Sequence, residues 1–256
     1  MASAQCAAVL AATLAVACGG GGGVTSPPAP ATPPPVAFSS HASAHFTFRY
    51  APMDAATIEA TAAAVEAQHA RIVSALGVPG MPAVTVTLYP DVDSLRAGVA
   101  PIVGSIPAFA SGLVTGPTAI HVLSPRSPAW VGDAGLTAIV HEFAHCASMV
   151  LNPSIANNPR WLWESVALYE AGQVLDPRAF PYVTAGPFPT LAQLSRIEDT
   201  RIYDVGGLIG AYVVDRWGEH GMRDLVRTNG GLQALGVDEA AFVRGWHAYA
   251  RERYGF

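Results

Sequence analysis

His141-Glu142-Phe143-Ala144-His145 sits within Leu136–Leu151, a run free of Pro and Gly. Asp133 before it is an N-cap candidate and Asn152-Pro153 after it is a stop, so the spacing predicts a helix. On a helix, positions i and i+4 share a face, one turn apart. Both imidazoles can then reach one point, with Glu142 projecting beside it, which is the geometry of a metal helix. Leu136, Val140, Phe143, Ala147 and Val150 form an apolar stripe next to that face, so the histidines come out partly buried. The bland alternative is two core histidines, each bonded to a backbone carbonyl. Without a metal, however, two imidazoles and a carboxylate on a buried face each need a partner of their own. H-E-x-x-H arises by chance in roughly one sequence of this length per hundred, so its surroundings carry the weight.

The next helix is expected over Asn158–Gly172, with Asn158 as cap, Pro159 in the first turn and Gly172 at the end. Glu164 lies there among Trp161, Leu162, Trp163, Val166 and Ala167. A carboxylate so surrounded is seldom buried unless it is paired or holds a cation; the alternative is a Glu on an exposed helix face. His141, His145 and Glu164 together make a three-ligand set for Zn²⁺ with a fourth position open, the arrangement of catalytic rather than structural zinc. Glu142 is the general base beside it.

H-E-F-A-H followed by P-R-W-L-W-E-S-V-A-L-Y-E resembles the gluzincin branch of zinc metallopeptidases. More narrowly, it resembles the bacterial peptidase-MA-like domains, related to the catalytic domain of aminopeptidases such as leukotriene hydrolase. The likeness extends from Phe46 to about Tyr254, through F-T-F-R-Y, V-T-V-T-L-Y-P and Y-D-V-G-G-L-I-G-A-Y-V-V-D-R-W-G. It implies a zincin-like fold, zinc on His141, His145 and Glu164, and hydrolysis of a peptide or protein substrate. It also nominates Tyr203, at the start of a later helix, as the catalytic donor to a developing oxyanion. An extended substrate would lie along an edge strand beside the metal helix, here expected to be Ala119–Leu123, with Pro181–Pro189 as the rim. Two positions depart from the pattern: Ser165 stands where these domains have Gly, and Leu168 where thermolysin-like enzymes have an Asp that orients a ligand histidine. The metzincin pattern is excluded by Ser148 and Leu151. The G-x-M-E-N-type signature of the aminopeptidases is absent, which favours an endopeptidase or oligopeptidase. The alternative function is a non-catalytic lipoprotein that binds a peptide or partner on a peptidase-like fold.

The chain carries a net charge of −5, and its 14 basic residues are all Arg with no basic cluster, which argues against nucleic acid as a partner. Residues 1–18 read as a signal peptide. Ala7–Ala17 is an apolar run too short to span a bilayer, and Leu14-Ala15-Val16-Ala17-Cys18 resembles a bacterial lipobox. Cys18 would then be lipidated and the protein held on the membrane of the bacterial cell envelope; the alternative is a cleaved secretion signal. Residues 19–44, rich in Gly and then Pro, read as a tether, and 45–256 as the metallopeptidase domain. Cys146 is expected to be a packed core thiol.

Alternation marks strands at His45–Tyr50 and Ala83–Tyr89, with a strand pair at Gly112–Thr115 and Ala119–Leu123. Helical spacing covers Asp54–Leu76, Ser94–Val99, Tyr203–Trp217, Met222–Thr228 and Asp238–Tyr254. Strands and one helix first, helices afterwards, predict an α+β fold with an N-terminal mixed sheet and a mainly helical C-terminal part. His220 and His247 are expected at the surface or at helix ends.

Overall fold

Phe46, Phe48 and Tyr50 alternate with polar residues, as do Val84, Val86 and Leu88. In the structure, a computed structural model describing residues 36–256, they form strands whose apolar sides face one core. The signal peptide and the tether as far as residue 35 lie outside the described residues. The strands are β1 (Ser39–Ala42), β2 (Phe46–Tyr50), β3 (Val84–Tyr89), β4 (Gly112–Gly116) and β5 (Ala119–Leu123). They make a five-stranded mixed sheet in the order β1-β2-β3-β5-β4. The β2–β3 and β3–β5 pairs are parallel, and both edge pairs are antiparallel.

Two sequence expectations change here. Residues 39–42, assigned to the tether, pair with β2 in register Ser39↔Tyr50 to Ala42↔Thr47, so the body begins before residue 45. A short polar strand has no hydrophobic alternation to betray it; its partner's free edge places it. Ala119–Leu123 is not an edge. β5 is bonded to β3 on one side and to β4 on the other, and β4 is the edge strand. The chain turns at Gly116 and enters β5, which slots between β4 and β3, a placement that local pattern does not encode.

The helices are α1 (Ile58–Leu76), α2 (Val92–Val103), α3 (Ala134–Leu151), α4 (Arg160–Glu170), the short α5 (Pro181–Thr184) and α6 (Leu191–Leu194), α7 (Arg201–Arg227) and α8 (Glu239–Tyr254). Helices α1 and α3 join the core built on Phe46, Phe48, Val86, Ile120 and Val122. Helix α2 packs through Leu95 and Val99 on Tyr89 and Leu123, which point the other way from their strands. The α+β fold with its helical C-terminal part is therefore as expected.

The start of α4 differs from the reading, whereas the split of α7 agrees with it. Pro159, extended at ψ 149, is the residue before α4, so neither the Asn cap nor Pro in the first turn holds. The two predicted segments at 203–217 and 222–228 are both helical and lie on either side of a break at Gly218 (φ 68, ψ −178), within the span α7. His247 is buried, packed on Trp246 and Phe188, and not at the surface.

Helix α7 lies against α4 along a face of glycines. A Cβ at Gly210 would stand 2.7 Å from the Ser165 carbonyl oxygen and 2.5 Å from Tyr169 Cβ. The small side of this contact is on α7, which leaves room for Ser165 on α4. The Ser165 hydroxyl folds back and donates to the Trp161 carbonyl at 2.7 Å.

Candidate metal centre

Helix α3 buries His141, Glu142 and His145, and α4 buries Glu164. One ligand atom from each of His141, His145 and Glu164 lies within 4.8 Å of the others. Glu164 Oε2 stands 3.3 Å from His141 Nε2 and 3.9 Å from His145 Nε2. The exposed-helix alternative for Glu164 and the carbonyl-bonded alternative for the histidines are both excluded by this geometry.

His141 is oriented from behind, and His145 is held by its ring face, with its Nδ1 unpartnered among the described residues. His141 Nδ1 donates to Gln173 Oε1 at 2.9 Å, which leaves the Nε2 lone pair directed at the site. His145 stacks on the Trp163 indole, 4.0 Å between centroids and 6° from parallel. Burial holds the His145 pKa well below its ordinary value, so it is neutral, the ligating form.

Glu164 Oε2 is buried and without a hydrogen-bond partner among the described residues. It faces two imidazole nitrogens whose lone pairs point the same way, and three acceptors so disposed need a cation or a proton between them. Burial disfavours charge on His141, yet the Glu164 carboxylate outweighs it and raises the His141 pKa; in the metal-free chain a proton takes the cation's place. The donor set therefore fits Zn²⁺, with His141, His145 and Glu164 as the residues that would hold it.

The other oxygen of Glu164 is held from the far side. The Tyr203 hydroxyl donates to Glu164 Oε1 at 3.5 Å, and Arg160 Nε lies 3.9 Å away. The Arg160 guanidinium is fully buried, stands over the Tyr203 ring at 5.2 Å, and donates through Nη1 to the carbonyls of Arg196 and Asp199. Burial raises the Tyr203 pKa, with the Glu164 charge adding to it, so the hydroxyl keeps its proton.

Glu142 lines the same cleft on the sheet side. Its room is made by Gly112 of β4, where a Cβ would lie 2.7 Å from Glu142 Oε1. Burial raises its pKa from 4.5 to about 7, His141 lowers it, and Glu164 raises it again.

The cleft has a volume of about 490 Å³ and includes all five residues of β4. Its mouth is apolar: Val103, Phe109 and Ile197 line it and are each a little under half exposed. Pro181–Pro189 does not contribute to the lining, contrary to expectation. Tyr182 instead donates to Asp204, and Phe188 packs on Trp246 and His247, because the segment's aromatics fill the gap between α7 and α8. Cys146 is buried, with its thiol directed at the Gly116 carbonyl and its pKa raised by burial, as a packed thiol should be.

No protein-family model, curated protein or solved structure matches this chain.

The site thus stands on its own geometry. It draws together the residues that the sequence nominated as ligands, base and donor, His141, Glu142, His145, Glu164 and Tyr203, but neither the expected rim nor the expected strand. Sequence reasoning passed over Gln173, Arg160 and Gly112. Gln173 follows Gly172, which takes φ 70 at the end of α4 and turns the chain back toward α3. Its only sequence signal is a polar residue just past a helix-ending glycine.

Proposed function

We propose that this chain is a zinc-dependent peptide-bond hydrolase of gluzincin type, an endopeptidase or oligopeptidase, held at the bacterial cell envelope through a lipidated Cys18. The observation that carries the reading is the convergence of His141, His145 and Glu164 beside a buried Glu142 in one open cleft. When bound there, Zn²⁺ supplies a Lewis acid that polarises a carbonyl and acidifies water. Glu142 accepts the proton of the attacking water and passes it to the leaving amine. The Tyr203 hydroxyl, protonated and at the cleft wall, donates to the oxyanion that develops on the carbonyl oxygen. Before substrate is bound, Tyr203 and Arg160 face one oxygen of Glu164, which leaves the other for the metal; Tyr203 has a single proton and releases this 3.5 Å contact to serve the oxyanion, while Arg160 stays on Glu164. The apolar walls exclude water from the reacting groups and strengthen each of these interactions.

Substrate would lie along β4 rather than β5. Being an edge strand that also lines the cleft, β4 offers backbone N–H and C=O groups for strand addition, which reads backbone more than side chain. A binding module without catalysis has no use for the space that Gly112 clears around Glu142.

The deciding experiment is metal analysis of the purified protein beside cleavage of a peptide library, for the wild type and for Glu142→Gln. The reading expects bound zinc in both proteins and cleavage by the wild type alone. A wild type that lacks zinc or leaves the library intact overturns it, as does a Glu142→Gln protein that cleaves at the wild-type rate.

A further inference from the structure

A second His–Glu–His cluster lies on the body, outside the cleft. Glu66 and His69, spaced i and i+3 on α1, share one helical face, and His45 at the entry to β2 meets them. One ligand atom from each of the three falls within 4.8 Å of the others. Glu66 is pre-positioned: Oε2 accepts from the Ser43 hydroxyl at 2.7 Å and from the His45 backbone N–H at 3.2 Å, while Oε1 is in contact with His45 Nδ1. His69 is 8% exposed, and its Nε2 has no hydrogen-bond partner among the described residues. Burial, reinforced by His45, lowers the His69 pKa, so the ring is neutral.

We propose that His45, Glu66 and His69 form a second binding site for a divalent transition ion of the zinc class. Two imidazoles and one carboxylate suit Zn²⁺, Co²⁺ or Ni²⁺ and not the oxygen-seeking Ca²⁺ or Mg²⁺. The two imidazoles stack at 3.6 Å and 10°, so binding turns His45 out of the stack to bring both lone pairs to one point. The His45 side chain, 46% exposed, has the freedom to turn. A bound ion would clamp the start of β2 to α1. It would also fix His69 against Phe143, whose ring stacks on it at 5.5 Å and lies on α3 between His141 and His145. The second ion would thus brace the metal helix from behind.

The test is metal titration of the chelator-stripped full chain with Co²⁺ or Zn²⁺, counting equivalents that survive dialysis. The proteins are the wild type, His45→Ala, Glu66→Gln and the double variant His141→Ala/His145→Ala. Cys6 and Cys18 are present in all four and cancel in the comparison. His45 is exposed, so its removal is compatible with folding, which far-UV circular dichroism checks. The proposal expects the double variant to retain one equivalent, and His45→Ala and Glu66→Gln each to lose one relative to the wild type. It is overturned if His45→Ala and Glu66→Gln bind as much as the wild type, in which case the cluster is an ion pair beside a stacked imidazole. The two sites fail independently: an equivalent kept by the double variant and lost when His45→Ala is added to it supports the second site whatever becomes of the first. If the double variant does not fold, Glu164→Gln, which removes one ligand of the first site, takes its place in the comparison.

Discussion

In the proposed mechanism Glu142 can act as a base only when ionised, and its surroundings set where that happens. Burial pushes its pKa from 4.5 to about 7, and a cation in the adjacent site favours the charged form and draws it back down. Activity should therefore rise with pH across the interval between those two values. Rate profiles of kcat/KM against pH check this, and the rise should be missing from the residual activity of Glu142→Gln. That variant should keep its zinc and lose about 10²–10⁴-fold in kcat. Gln173 acts through another residue: by accepting from His141 Nδ1 it fixes the tautomer that ligates. Gln173→Ala should weaken zinc binding by about 10–100-fold, measured by competition with a chromogenic chelator, while the fold is retained.

At the scale of elements, glycines set how closely the site's supports approach. A Cβ at Gly207 of α7 would fall 2.3 Å from the Gln173 carbonyl oxygen, so Gly207→Ala must displace the loop after α4 that carries Gln173. We expect it to cost about 1–3 kcal/mol, read as a lower Tm, and to share the zinc-affinity loss of Gln173→Ala. Gly112→Ala acts on the other wall. Its Cβ meets the Glu142 carboxylate and no metal ligand, so it should lower kcat and leave zinc content unchanged. Equal kcat in Gly112→Ala and wild type would show that Glu142 has room to spare.

Across the whole molecule, the cleft lies where the β4 edge of the sheet meets the helical half, and its chemistry is lopsided. Among the described residues, Glu142 and Glu164 are the only carboxylates in its lining, and both belong to the candidate metal centre. Nothing acidic remains to hold the free amine of a substrate. N-acetylated peptides should therefore be cleaved with a kcat/KM close to that of their free-amine counterparts, measured as matched pairs. A strong preference for the free amine would mean that an amine anchor lies elsewhere. The apolar mouth formed by Val103, Phe109 and Ile197 points to cleavage beside apolar side chains in the same assay.

Much of this was legible in the chain because it is encoded locally. The i, i+4 spacing of His141 and His145, the unbroken run around them and the apolar company of Glu164 follow from helix geometry and the cost of burying charge. The alternation of Phe46–Tyr50 and Val84–Tyr89 follows from the strand repeat. What the chain alone could not show depends on contacts between residues far apart in sequence. β4 rather than β5 is the edge because β5 inserts beside β3. Gln173 reaches His141 because Gly172 reverses the chain and Gly207 lets the reversal pack. Helix α3, apolar enough in length and composition to cross a membrane, is instead 61% buried between the sheet and the other helices. Hydropathy records that such a helix must leave water; only its neighbours determine what it is buried against.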